Sequence, residues 1–221
     1  MCGIYGIWHK DGRPIALESV KQAVASLRHR GPNDEGYLLA NTMTGRILCC
    51  GGDDTPAELD LPDVEQIARA GDEQFNLALG FRRLAIVDLS SAGHQPMCSR
   101  DRETSLVFNG EIYNYIELRS ELRSCGHEFA TGTDTEVILA AYRQWGAECV
   151  RRFNGMWAIA LWDNTARRLL LSRDRFGVKP MYTAAPAQQT FAFASEIKAL
   201  LASRVLSSTP SPRPGRSDAP S

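Results

Sequence analysis

Met156-Trp157-Ala158-Ile159-Ala160-Leu161-Trp162 is an apolar run of seven residues without a break. A strand with one wet face alternates apolar and polar side chains. An unbroken run of this length fits a strand covered on both faces. Such a strand needs structure above and below it, which predicts stacked sheets with helices outside them. On its C-terminal side, residues 169–172, 181–184 and 190–194 read as further strands separated by turn residues. On its N-terminal side, 77–88 and 104–109 read likewise, and 4–8 is a short apolar strand beside glycines.

Helical spacing marks the segments between. Leu17, Val20, Val24 and Leu27 recur at helical intervals, and Arg28-His29-Arg30-Gly31-Pro32 ends the helix with cations, a glycine and a proline. Residues 114–125 read as a helix stopped by Gly126. Thr133-Asp134-Thr135-Glu136 is a capping box, and Val137, Ile138, Ala141, Tyr142 and Trp145 form an apolar stripe behind it. A short helix runs from Ser195 or Glu196 to about Leu201. Strands outnumber helices, and helices fall in pairs between groups of strands. A layered α+β architecture satisfies this pattern, with the topology left open.

Two stretches read differently. Residues 41–76 hold eight acidic and two basic side chains. They are predicted to form an exposed insertion between strands, with a short helix near 64–70 and a solvated charged surface. From residue 202 onward the chain is rich in Ser and Pro, the composition of a disordered tail or a linker.

The 221 residues carry a formal net charge of −1, so bulk charge makes no case for nucleic acid or an anionic membrane. No apolar run approaches the ~20 residues that span a bilayer, and no basic region precedes an apolar stretch at the N-terminus. The six cysteines, at 2, 49, 50, 98, 125 and 149, form no C-x-x-C and no zinc spacing with histidine. Reduced thiols, a cytoplasmic location and no metal site are the expectation.

Chemistry concentrates at a few positions. With Met1 removed, Cys2 would carry a thiol nucleophile and a free α-amine, whose reference pKa of about 7.7–8.0 suits a base near neutrality. Asn109-Gly110 could offer a side-chain amide and a backbone N–H to one developing oxyanion. Arg83 could grip a carboxylate with its planar fork, and Asp134 could bind an ammonium. Each has a plainer reading: a strand residue, a turn, a surface cation, a helix start. Together they describe a site for an α-amino acid with a side-chain amide, glutamine or asparagine.

Met1-Cys2-Gly3-Ile4, Arg28-His29-Arg30-Gly31-Pro32, Arg83-Leu84-Ala85-Ile86-Val87-Asp88, Asn109-Gly110-Glu111-Ile112-Tyr113-Asn114 and Gly132-Thr133-Asp134-Thr135-Glu136-Val137 occur in order. Phe153-Asn154-Gly155-Met156, Asp174-Arg175-Phe176-Gly177-Val178-Lys179-Pro180 and Ser195-Glu196-Ile197-Lys198-Ala199-Leu200 follow. Over residues 1–201 this resembles the class II glutamine amidotransferase domain of glutamine-hydrolysing asparagine synthetases. The resemblance implies an N-terminal-nucleophile (Ntn) hydrolase fold, a four-layer αββα sandwich of two mainly antiparallel sheets. It implies Cys2 as nucleophile, Asn109 and Gly110 as oxyanion donors, and glutamine contacts from Arg83, Leu84, Ala85, Ile86, Val87, Asn109, Gly110, Glu111 and Asp134. It implies L-glutamine as substrate, no cofactor for its hydrolysis, and ATP and Mg only in a synthetase (ATP-pyrophosphatase) domain or subunit. No phosphate loop of that domain, Ser-Gly-Gly-x-Asp-Ser, occurs in the sequence.

An amidotransferase for a sugar or peptide acceptor, a non-catalytic glutamine-binding module and a homodimer remain alternatives at this point. The family's Asp after Arg-Gly-Pro is here Asn33, followed by Asp34.

Overall fold

The computed structural model describes residues 1–56, 64–71, 74–85 and 91–206. In chain order the strands are β1 Gly3–His9, β2 Asp34–Asn41, β3 Arg46–Gly51, β4 Glu65–Gln66, β5 Leu77–Arg83 and β6 Met97–Cys98. They continue as β7 Thr104–Ile112, β8 Gly155–Asp163, β9 Arg168–Arg173, β10 Tyr182–Ala187 and β11 Thr190–Ala194. The helices are α1 Leu17–Ser26, α2 Tyr115–Ser124, α3 Asp134–Trp145 and α4 Ile197–Ala202.

One sheet has seven strands in the order β10-β11-β1-β5-β2-β3-β4, the other four in the order β6-β7-β8-β9. Every pairing is antiparallel except β3 with β4. Strand alternation then sorts side chains into three cores. Tyr5, Ile7, Tyr37 and Leu39 of the large sheet meet Val20, Val24 and Leu27 around α1, together with Leu200 of α4. Leu106, Phe108, Ile159 and Leu161 of the small sheet meet Leu118, Leu122, Val137 and Ile138 of α2 and α3. Between the sheets, Ile4, Leu38, Leu79, Phe81 and Phe193 meet Val107, Ala158, Ala160 and Trp162. The result is the expected αββα sandwich of two mainly antiparallel sheets. The run at 156–162 is indeed covered on both faces: Ile159 and Leu161 point to helices, Ala160 and Trp162 to the other sheet.

Three expectations need correction. The stretch 41–76 is not simply an exposed insertion. Ile47-Leu48-Cys49-Cys50 forms most of β3, and Ile67, Phe75 and Asn76 are buried. Its acidic average hides a short apolar run. The short helix expected there is a single 3-10 turn, Ile67–Arg69. Asn109-Gly110 is not a turn, because both residues stay in β7, opposite Ala158 and Trp157. Helices pair in sequence only as α2 and α3; α1 and α4 come together in space.

The strand expected over 77–88 ends at Arg83 among the described residues, and 86–90 lie outside them. Of the stretch from 202 onward, Val205 and Leu206 pack against the α1 side of the large sheet, and 207–221 lie outside the described residues.

The inter-sheet core turns on Trp162, which is fully buried and meets Trp8 edge-on at 5.3 Å between ring centroids. Trp162→Ala is expected to lower the unfolding free energy by about 3–5 kcal/mol. Chemical denaturation of the two proteins reads this directly.

Candidate active site

Three strand ends meet at one end of the inter-sheet gap. Gly3 of β1 pairs with Arg82 of β5, so residue 2 lies beside the stretch 83–85. The Leu84 N–H approaches the Cys2 sulfur at 3.5 Å. The Cys2 carbonyl accepts from Arg30 Nε at 3.0 Å, and Arg30 also holds Glu196 Oε1 at 2.9 Å. His29 Nε2 and Lys198 Nζ reach the same carboxylate, at 3.0 and 3.2 Å. Burial opposes ionisation of Glu196, but these three partners hold its carboxyl down at about 2. Cys2 is thus tied from both sides by residues in the Arg28–Pro32 and Ser195–Leu200 motifs.

Burial of the sulfur is the largest influence on the Cys2 thiol and pushes its pKa above the ordinary value. The Leu84 amide, the chain's terminal ammonium, Arg83 and Lys179 pull the other way. Lys179 is carried by the loop after β9. Asp174 accepts the N–H groups of Trp157, Val178 and Lys179 at 3.3, 2.8 and 3.0 Å. Burial disfavours its charge, yet these donors keep the Asp174 carboxyl below its ordinary range.

The two arginines closing β5 have different tasks, because neighbouring strand residues face opposite sides. Arg82 is fully buried on the α1 side, bound to Gly31 O, Glu35 Oε2 and Asp54 Oδ2 at 2.9, 2.7 and 2.9 Å. It is structural. Arg83 shares the inter-sheet face with Phe81 and Leu79, and its guanidinium lies over Gly93, where an added Cβ would sit 2.0 Å from Nη2. Ala85 is held by its N–H on Asn33 Oδ1 at 3.1 Å. The Asn at this position therefore braces the 83–85 segment with a neutral acceptor. Ile86 and Val87 lie outside the described residues.

Across the gap, Asn109 shares the inter-sheet side of β7 with Val107. Its side chain is 1% exposed, and its Nδ2 has no hydrogen-bond partner. A buried amide donor left open is costly, about 1–3 kcal/mol, unless something binds there. Gly110 cannot carry a side chain, since a Cβ would lie 2.2 Å from Met156 O. Glu111 is exposed. Asp134 opens α3, and its Oδ2 accepts the Ile112 N–H at 3.0 Å. Thr133 caps that helix by accepting from Glu136 N at 3.3 Å. Burial raises the Asp134 carboxyl above its usual range, the donors from Ile112 and Thr135 oppose this, and Glu111 adds to it.

The structure thus brings Cys2, Arg83, Leu84 and Ala85 together at the end of β1 and β5, and places Asn109 and Gly110 on the facing sheet, with Asp134 at the start of α3 bound to the end of the same strand. A thiol, two cations, an open amide donor and a carboxylate around one gap can hold a zwitterion and attack a carbonyl. Among the described residues no cluster of His, Cys, Asp or Glu is arranged to hold a metal ion.

A profile of the family described as "Glutamine amidotransferase domain" matches residues 62–213. This chain belongs to that family. The match begins after Cys2, so Cys2 rests on its own geometry. Asparagine synthetase [glutamine-hydrolyzing] 1 of Bacillus subtilis is 36% identical over 206 residues, covering 91% of this chain and 27% of that protein. Asparagine synthetase [glutamine-hydrolyzing] 2 of the same organism is 41% identical over 203 residues, covering 90% and 22%. The chain spans 35% and 24% of the length of two further matches, a putative asparagine synthetase [glutamine-hydrolyzing] 2 of Methanocaldococcus jannaschii and a putative asparagine synthetase [glutamine-hydrolyzing] of Mycobacterium bovis. A solved glutamine phosphoribosylpyrophosphate amidotransferase from B. subtilis matches with a TM-score of 0.70 at 22% identity, over 92% of this chain and 44% of that one. At that identity the likeness concerns the fold. No helix among the described residues is long and apolar enough to cross a membrane.

Reasoning from sequence missed Lys179, Asp174, Arg30 and Glu196 as site residues, although each lies inside a quoted motif. Lys179→Met removes a cation that favours the Cys2 thiolate. The pH profile of iodoacetamide alkylation at Cys2, read by mass spectrometry, is expected to move to higher pH. An unmoved or lowered midpoint would contradict the placement of Lys179.

Proposed function

We propose that the domain hydrolyses L-glutamine to glutamate and ammonia through Cys2. The observation that carries this reading is the Cys2 sulfur held on the Leu84 N–H, with the buried, unpartnered Asn109 amide on the facing sheet. Arg83 takes the substrate α-carboxylate and Asp134 the α-ammonium. Leu84, Ala85 and Glu111 line the remainder. With Met1 removed, the amine of residue 2, through a water, accepts the thiol proton.

The sulfur then adds to the side-chain carbonyl carbon. Asn109 Nδ2–H and the Gly110 N–H donate to the oxyanion, worth about 10²–10³-fold per donor. The carbon–nitrogen bond breaks as the nitrogen takes the proton and leaves as ammonia. Water then attacks the glutamyl thioester, releasing glutamate and restoring the thiol. This step calls on no cofactor or metal.

The names of the relatives, glutamine-hydrolysing asparagine synthetases, support asparagine synthesis as the use of this ammonia; our reading takes aspartate as the acceptor, with ATP and Mg in a synthetase domain or subunit. A reducing, cytoplasmic setting suits a catalytic thiol.

Cys2→Ala is expected to abolish glutamate release from glutamine, and substantial release by that variant would sink the mechanism. Asp134 gives a pH test. Its pKa is raised, so it becomes protonated at a higher pH than an ordinary carboxylate near 3.9. KM for glutamine is therefore expected to rise on acidification above that range. In Asp134→Asn, KM is high throughout and this acid limb disappears.

A further inference from the structure

Along β7, the odd residues 107, 109 and 111 exchange hydrogen bonds with β8, and the even residues face the other way. The contact opposite Gly110 shows this: both backbone groups of Trp157 are engaged by Asp174, whose N–H donates to Trp157 O at 2.9 Å and whose Oδ2 accepts Trp157 N at 3.3 Å. The N–H groups of Phe108, Gly110 and Ile112 therefore emerge from the edge of β7 that faces away from β8. β6 covers that edge only opposite Ser105 and Leu106. It begins at Met97 and does not reach back over Phe108.

Side chains take over where β6 stops. Gln95 Oε1 accepts the Phe108 N–H at 2.7 Å, and Asp134 Oδ2 accepts the Ile112 N–H at 3.0 Å. The two outer donors are capped by side chains, and the Gly110 N–H lies between them on the same edge. Gln95 is 5% exposed, and its Nε2 donates to Thr135 Oγ1 at 3.4 Å, one residue beyond Asp134. The same short loop reaches the other sheet. His94 Nδ1 meets buried Asp34 Oδ2 at 2.8 Å, and the Gln95 carbonyl fills the space over Gly36, where a Cβ would sit 2.1 Å from it. Gly93 is the floor under the Arg83 guanidinium. Gly93 and Gln95 thus reach Arg83 and the immediate neighbours of Asn109 and Asp134, namely Phe108 and Thr135.

We propose that Gln95 is a positioning residue for the oxyanion site. Its side-chain carbonyl replaces the missing strand on β7, fixes the line of the backbone at Phe108, and so aims the Gly110 N–H, while its amide ties the same point to the first turn of α3. The inference rests on Gly110 acting as an oxyanion donor in glutamine hydrolysis. Cys2 lies outside its reach, so thiol reactivity stays separate from it, and on α3 its amide holds the Thr135 hydroxyl rather than the Asp134 carboxylate.

The test compares wild type with Gln95→Met, which removes both polar atoms at similar length, and Gln95→Glu, which restores an oxygen at the same reach. In Gln95→Met, kcat for glutamate release is expected to fall about 100-fold, the scale of a displacement near 1 Å. KM is expected to stay within about threefold, because the lost interaction belongs to the transition state. Iodoacetamide alkylation of Cys2 stays unchanged, and Gln95→Glu recovers most of kcat.

The Gly110 amide resonance of the ligand-free protein supplies a readout independent of glutamine chemistry. It is expected to move in Gln95→Met and return in Gln95→Glu. If Gln95→Met does not fold, Gln95→Asn withdraws the same oxygen by one methylene. An unmoved Gly110 resonance overturns the proposal, and so does an unchanged kcat in a protein whose Cys2→Ala variant is dead. A wild type that releases no glutamate while Gly110 still responds overturns the glutaminase reading instead.

Discussion

The register that sets Gly3 of β1 opposite Arg82 of β5 is the constraint on which the site depends. It brings residue 2 to the end of β5 and puts the Leu84 N–H on the sulfur. A slip of one residue would exchange the faces of every side chain on the strand. Arg83 would then turn toward α1 and Arg82 into the gap. Both faces of β5 are filled, by Val24 over Gly80 on one side and by Leu79 and Phe81 on the other, so the register is held by packing along its whole length. The apolar core between the sheets and the polar groups at its end are two consequences of one alignment.

Electrostatics at that end are balanced rather than extreme. Burial works against the charged forms of both Cys2 and Asp134 and raises both. Arg83 and Lys179 offset part of the cost for the thiol, and backbone donors offset part of it for the carboxylate. A zwitterionic ligand with its ammonium at Asp134 would give that carboxylate a cationic partner. The unpartnered Asn109 amide belongs to the same pattern, a polar group set in place before its partner arrives.

Much of the sandwich was legible because its strongest strands are compositionally plain. Residues 156–162 could be little else, and the capping box at 133–136 opened α3 as expected. β2 was invisible because it begins Asp34-Glu35-Gly36, a polar start whose charges are absorbed by His94 and Arg82 far along the chain. β3 was hidden by acidic neighbours. Asn109-Gly110 carries a turn signal that tertiary structure overrides, since Trp157 and Met156 press on the glycine from β8. Cys2, Arg83, Asn109 and Asp134 could be named from motifs. Lys179 sits inside a quoted motif, but its approach to Cys2, like that of Gln95 to Phe108, comes from long-range placement that no local spacing encodes.

The central claim is that the Cys2 sulfur, the Asn109 amide and the Gly110 N–H converge on one carbonyl. A crystal structure of the protein treated with a diazoketone analogue of glutamine tests it most directly. The account predicts a covalent bond to Cys2 Sγ, with the adduct's carbonyl oxygen within hydrogen-bond distance of Asn109 Nδ2 and Gly110 N. Reaction at another cysteine, or a Cys2 adduct whose oxygen points away from both donors, would contradict it.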